Sequence, residues 1–136
     1  MKKIALILTI FITVLSCSSD NSPNFAYELL PVEEAVVPTE MVVDQEYEIQ
    51  VSYIQPTDCH AFSDFYYEVD GDARTIAIVS VYSTSGSCTS QVPDDIVMRS
   101  FTFKPLHAAT YTFRFWNGED ENGQDVYTEY EVVATE

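Results

Sequence analysis

The chain has 136 residues, with 22 Asp and Glu against 6 Lys and Arg, a formal charge of −16 at neutral pH. That length suits one domain of ordinary size, and a polyanion this dense repels nucleic acid, which is thereby excluded as a partner. Only 4 glycines occur, and there is no Gly-x-Ser-x-Gly, His-Glu-x-x-His or glycine-rich phosphate loop.

Met1-Lys2-Lys3 precedes an apolar run from Ile4 to Leu15, and Ser16-Cys17 comes next. A charged start, an apolar core of about 7–15 residues and a small-residue exit describe a secretory signal. The core is too short to span a bilayer, which needs about 20 apolar residues. Val14-Leu15-Ser16-Cys17 resembles the lipobox of bacterial lipoproteins. The resemblance implies that residues 1–16 are a signal peptide, removed before Cys17. It also implies a diacylglyceryl thioether on Cys17 and acylation of the new amine, an anchor built from several chains at about 0.8 kcal/mol per buried CH₂. Residues 17–24 are polar and small, the composition of a flexible tether. The run Ser16-Cys17-Ser18-Ser19-Asp20-Asn21, which spans that cleavage point, is similar to the same region of many Bacteroidota lipoproteins. Ser18 directly after the Cys resembles the class sorted to the outer membrane. The expected location is therefore the cell envelope, lipid-anchored at the outer membrane, with the periplasmic and surface faces both open. Cleavage takes Lys2 and Lys3 away and leaves 4 cations against 22 acids, a charge of −18 on 120 residues.

From residue 25 to 136 the chain reads as all-β: period-two alternation recurs, and no window sustains helical spacing. Phe25 to Leu29 opens the domain, and Pro31 and Pro38 break the first edge segment, as prolines do at sheet edges. Tyr47, Ile49, Val51 and Tyr53 alternate with polar residues, a half-buried strand. Phe65, Tyr67 and Val69 alternate with Asp64, Tyr66 and Glu68, and Asp70-Gly71 turns the chain into the β-branched run from Arg74 to Tyr82. A polar loop from Ser83 to Asp95 carries Cys88. Strands over Ile96 to Phe103, Tyr111 to Trp116 and Val126 to Val133 complete the domain.

With Cys17 lipidated, Cys59 and Cys88 remain, and two cysteines in an oxidising compartment most simply pair. The alternative is a reduced Cys59 acting with His60 as a reactive or metal-binding site.

About seven strands in roughly 110 residues match the size of an immunoglobulin-like antiparallel β-sandwich. His107-Ala108-Ala109-Thr110-Tyr111-Thr112-Phe113 resembles the tyrosine-corner segment that opens strand F in that fold. Phe113 stands where antibody domains have a strand-F Cys, so a Cys59–Cys88 bridge would be a different staple, from the end of strand B to the loop before strand E. In such a sandwich the strand beside F, away from G, is C. The same phasing sends Arg114 and Trp116 outward, joined by Tyr127 across a hairpin closed at Asn117 and Gln124, and by Phe62 and Tyr66 on strand C. Phe62, Tyr66, Arg114, Trp116 and Tyr127 would then form an outward aromatic platform for a protein, peptide or glycan partner. Aromatic residues are also ordinary strand formers that stabilise sheets by cross-strand pairing.

Asp120, Asn122, Gly123 and Glu129 fall at the third, fifth, sixth and twelfth positions of a calcium-loop pattern. Asp120 and Asn122 are the candidate ligands, and calcium is the one cofactor the sequence raises. Its first position is Gly118, which has no side-chain ligand, and strands flank it where the pattern needs helices. A solvated Asn-Gly hairpin loop has the same composition. His60 and His107 stand far apart with no nucleophile spaced against them. Two functions remain open: a non-catalytic, lipid-anchored binding or scaffold module, or alternatively an envelope hydrolase or metal-dependent enzyme on a β-sandwich.

Overall fold

The computed structural model describes residues 24–90 and 96–136. The leader, Cys17 and residues 18–23 of the tether lie outside the described residues. Nine strands run through the described residues: β1 Phe25–Leu30, β2 Glu34–Val36, β3 Glu40–Val42, β4 Tyr47–Ile54, β5 His60–Asp70, β6 Ala73–Ser83, β7 Ile96–Phe103, β8 Ala109–Glu119 and β9 Asp125–Thr135. They form two packed sheets, a β-sandwich, as the alternating pattern predicts. One sheet has the order β2-β4-β7. The other holds β3, β9, β8, β6 and β5, with β1 sharing with β8 the same side of β6.

The alternating strands are the ones that build the core. Ile49, Val51 and Tyr53 of β4 face Ile76 and Ile78 of β6 and Tyr111, Phe113 and Phe115 of β8, all at 1% exposure or less. Removing that apolar area from water, at about 25 cal/mol per Å², is the main drive to the fold. Phe103 stands edge-on to both Tyr111 (5.1 Å) and Phe113 (5.0 Å), the preferred approach of two rings. Tyr111 forms the corner expected of it: its hydroxyl donates to His107 O (3.3 Å) and accepts from Leu106 N–H (3.2 Å). Tyr53 differs, because its buried hydroxyl has no partner among the described residues.

Four details depart from the expected arrangement. The short strands β2 and β3 were hidden among prolines; together they carry the chain from one sheet to the other and close that side of the sandwich. The sheets are not wholly antiparallel, since β3 runs parallel to β9 and the start of β6 parallel to β8. The β5–β6 hairpin is turned over relative to the immunoglobulin order, so β6, not β5, lies beside β8. Finally, the β8–β9 register is two residues from the expected one, with Trp116 opposite Tyr127 and Arg114 opposite Glu129. The strands extend through Asn117-Gly118-Glu119, where Gly118 at φ 100° makes a bulge, and the loop closes on Asp120 and Gln124 instead. A two-residue shift keeps every side chain on its face.

Cys59 and Cys88 are joined, with Cα atoms 5.5 Å apart. The bridge ties the start of β5 to the loop after β6, where Ser83 N–H already donates to Cys59 O (3.3 Å) and Asp58 N–H to Thr89 O (3.1 Å).

Candidate functional site

β6 is the strand on which the candidate site rests. Its first residues, Ala73 to Ile76, pair with β8, and its last, Ile78 to Ser83, pair with β1. Between them β1 and β8 diverge, because the chain leaving β1 is fastened to β8: Val32 N–H donates to Trp116 O (2.8 Å) and Asn117 Nδ2 donates to Val32 O (2.7 Å). A notch of about 390 Å³ opens at this fork on the outer face. Period-two alternation requires Ala77 to point away from a core that holds Ile76 and Ile78, yet Ala77 is only 1% exposed. Tyr66, Trp116, Tyr127 and Leu29 stand around it as walls, with Thr75 beside it on the floor.

The rings are held by carboxylates. Trp116 Nε1–H donates to Asp125 Oδ1 (2.7 Å), and the Tyr66 hydroxyl donates to Glu68 Oε2 (2.7 Å). That bond to Glu68 is the main reason the Tyr66 hydroxyl titrates above its ordinary range. Arg114 lies over the Tyr127 ring at 4.4 Å and pairs with Glu129 Oε1 at 2.8 Å, so its charge is spent on its neighbours. Glu119 and Asp125 line the notch as well, which leaves its edge rich in hydrogen-bond acceptors. From the notch an apolar strip continues along β1, where Leu29, Tyr27 (67% exposed) and Phe25 (60%) point outward.

Four of the five platform residues are therefore brought together: Tyr66, Trp116, Tyr127 and Arg114. Phe62 is not among them. The ladder slips between Phe62 and Asp64, and the extra residue turns Phe62 inward, where it packs on Tyr53 (6.5 Å) and Phe65 (5.0 Å). The sequence reading missed Leu29, Thr75 and Ala77. The available signal was Ala77 itself, a small residue inside a β-branched run, which marks where something else occupies the space.

The loop with Asp120 and Asn122 is built as a turn. Asp120 Oδ1 accepts from Asn122 N–H (2.8 Å) and Gln124 N–H (2.9 Å), and these bonds hold its carboxyl below the usual range. Glu129, the twelfth position of the calcium pattern, is bonded to Arg114 on the sheet. Among the described residues the three side chains close enough to share an ion are Asp58, Cys59 and Cys88, and there the two sulfurs are oxidised and Asp58 accepts from Thr89 N–H.

The two histidines serve different neighbours. His107 Nε2 lies 2.9 Å from Asp72 Oδ1. His60 is stacked on Tyr82 at 5.0 Å, with Nδ1 2.7 Å from Thr57 Oγ1 and Nε2 2.6 Å from Glu28 Oε1. This hydroxyl–imidazole–carboxylate chain fastens β1 to the β4–β5 turn, and the Thr57 hydroxyl also accepts from Cys59 N–H (3.2 Å), closing that turn. Comparison with protein-family models, with curated proteins and with solved structures found no match to this chain.

Proposed function

We propose that this chain is a lipoprotein of the Bacteroidota type, anchored through Cys17 at the outer membrane, whose sandwich is a non-catalytic binding module. The outer notch is its ligand seat, and the ligand is a neutral, hydroxyl-rich chain, an oligosaccharide. One observation carries this reading: Tyr66, Trp116 and Tyr127 surround a floor of Ala77 and Thr75, at an edge supplied by Glu119 and Asp125. Aromatic faces accept the C–H faces of sugar rings, and carboxylates accept from sugar hydroxyls. An acidic edge disfavours anionic ligands, and the neighbouring Arg114 is already paired with Glu129. The disulfide fits an exported domain. The tyrosine corner and the facing of β2-β4-β7 against β8 and β9 support kinship with immunoglobulin-like sandwiches in which one hairpin has been turned over.

The test has two arms. Cells fed an alkyne fatty acid should label the wild-type chain and not Cys17→Ser. Calorimetry against a panel of neutral oligosaccharides should find a ligand whose affinity falls at least tenfold in Tyr127→Ala and in Trp116→Ala, with Asp125→Asn intermediate. Binding that survives both ring deletions in folded protein would move the seat elsewhere, and an unlabelled wild-type chain would remove the anchor.

A further inference from the structure

The two long sides of the sandwich are finished differently. On one, β2 and β3 carry the chain across between the sheets. On the other, β5 ends one sheet and β7 ends the other, and a cleft of about 700 Å³ lies between them. Phe65, Tyr67 and Val69 form one wall and Phe101 and Phe103 the other. Tyr67 is 42% exposed and Val69 58%, although both are phased toward the interior.

Arg74 reaches into this cleft from β6. Its guanidinium lies over the rings of Phe103 (5.6 Å) and Tyr111 (5.4 Å), and Nη1 donates to Gly71 O (2.8 Å) and Ala73 O (2.7 Å). Among the described residues no carboxylate comes within ion-pair distance of it, in a chain with 22 acids. Lys104 lines the same cleft and pairs with Asp44 Oδ1 at 3.3 Å, and Arg99 lies over Phe62, which packs on the lining residue Phe65. Three of the four Arg and Lys among the described residues are thus gathered on one side of the sandwich.

Among the described residues β1, β2, β3, β5 and β7 each have one side unpaired, as does β9 from Asp125 to Val132, and all but β7 are guarded, β9 by Asp125, Glu129 and Glu131. β2 and β3 have three residues each. β1 has six and stops at Pro31. β5 is bulged after Phe62 and carries Asp64, Glu68 and Asp70. Short length, proline, bulges and charge are the usual protections against stray strand pairing. β7 has eight regularly paired residues with no acid, proline or bulge.

We propose that β7 is a docking edge: an extended segment of another protein adds to it as a strand, its apolar side chains filling the aromatic cleft and an acidic side chain meeting Arg74. Main-chain bonds to an open edge with side-chain pockets at alternate positions are the recognised basis of strand addition. The charge distribution selects the occupant. An acidic segment is attracted by Arg74 and Arg99, which have no carboxylate partner among the described residues, and less by Lys104, which Asp44 already pairs. Asp64 on the β5 wall repels it toward β7, and a second copy of this chain would bring two charges of −16 together. This cleft is separate from the outer notch, so the two proposals stand or fall independently.

The test is a displayed library of random heptapeptides selected against the whole chain, followed by hydrogen exchange with the best binder. Enrichment of alternating apolar residues with Asp or Glu, and slowed exchange of the amides from Val97 to Phe103, is the expected result. N-methylation of the peptide amides that face β7 should abolish binding, whereas methylation of the alternate set should leave it. Arg74→Gln and the more exposed Lys104→Gln should each weaken binding, by at least tenfold and by two- to fivefold. Protection of β5 or of the notch in place of β7, basic winning peptides, indifference to N-methylation, or β7 protection that arises from dimerisation without peptide would each overturn the proposal.

Discussion

Replacing Cys59 and Cys88 together by serine removes a constraint that acts mainly on the unfolded chain. The bonded residues are 29 apart in sequence. Closing a loop of that size lowers the entropy of the unfolded ensemble enough to stabilise the native state by about 3.5 kcal/mol on the chain-entropy estimate. Unfolding entropy of about 2.1 cal/mol/K per residue over roughly 110 residues turns this into a fall of about 15 °C in melting temperature. The native side changes less, because Ser83 N–H to Cys59 O, Asp58 N–H to Thr89 O and Thr89 N–H to Asp58 Oδ1 all survive the substitution. What those bonds lose is their tether, so their amides should exchange at the rate of a fraying hairpin end while those of Ile76 to Ile78 keep the protection of the core. The assay is urea unfolding of wild type and double variant, with hydrogen exchange on both. The denaturant slope should rise in the variant, since its unfolded chain exposes more surface once the loop is open. A double variant that melts within about 3 °C of wild type with an unchanged slope would refute the reasoning, because it would show the unfolded loop already closed by residual structure.

The same chemical change should have opposite signs at two tyrosines. Tyr111→Phe removes the hydroxyl that serves both Leu106 N–H and His107 O and should cost about 1–2 kcal/mol in denaturant melts. Tyr53→Phe removes a buried hydroxyl with no partner, and stability should hold or rise by up to about 1 kcal/mol; a loss there would mean that the hydroxyl has a partner, such as a bound water. Gly118→Ala places a Cβ on a backbone at φ 100° and 3.5 Å from Pro31 Cγ, and should cost at least about 1 kcal/mol in the same melts. Asp120→Ala should destabilise at pH 7 and lose that effect in acid. The folded carboxyl titrates below its unfolded value, so its contribution is full above an unfolded pKa of about 3.9 and disappears as pH falls through the folded one. Parallel melts at pH 7 and pH 3 check the sign.

Where one face of a strand was buried, period two disclosed it. β4 and the first half of β8 alternate between core and exterior from end to end, and Tyr111 declared its corner through the small residues before it. The features that were hidden are those in which local pattern is silent. Glu34–Val36 and Glu40–Val42 are too short to show a period and exist as strands only because β4 and β9 offer them an edge. Ser63 has no property that announces a bulge, yet its extra position decides that Phe62 turns inward while Tyr66 turns outward. Which member of the β5–β6 hairpin lies beside β8 is a choice between two nearly equivalent faces, settled by Thr112 N–H reaching Asp72 O and by the ladder from Ala73 to Ile76. The platform survived these errors because a register error of two preserves facing, whereas Phe62, displaced by a slip of one, did not.

β1 has a mechanical consequence. It is the first strand of the domain, and it also contributes Leu29 to the notch and, through Val32, the two bonds that hold the fork open. In a chain held by its N-terminus, tension enters along β1, parallel to a ladder of six residue pairs with β6, so that the ladder is loaded in shear and its bonds resist together. Detaching β1 would take Leu29 from the notch while the core of β4, β6 and β8 stayed packed. If the notch holds ligand and the chain is anchored as proposed, seat and load path share one strand, so bound ligand would strengthen the attachment and drag on the attachment would weaken the grip on ligand.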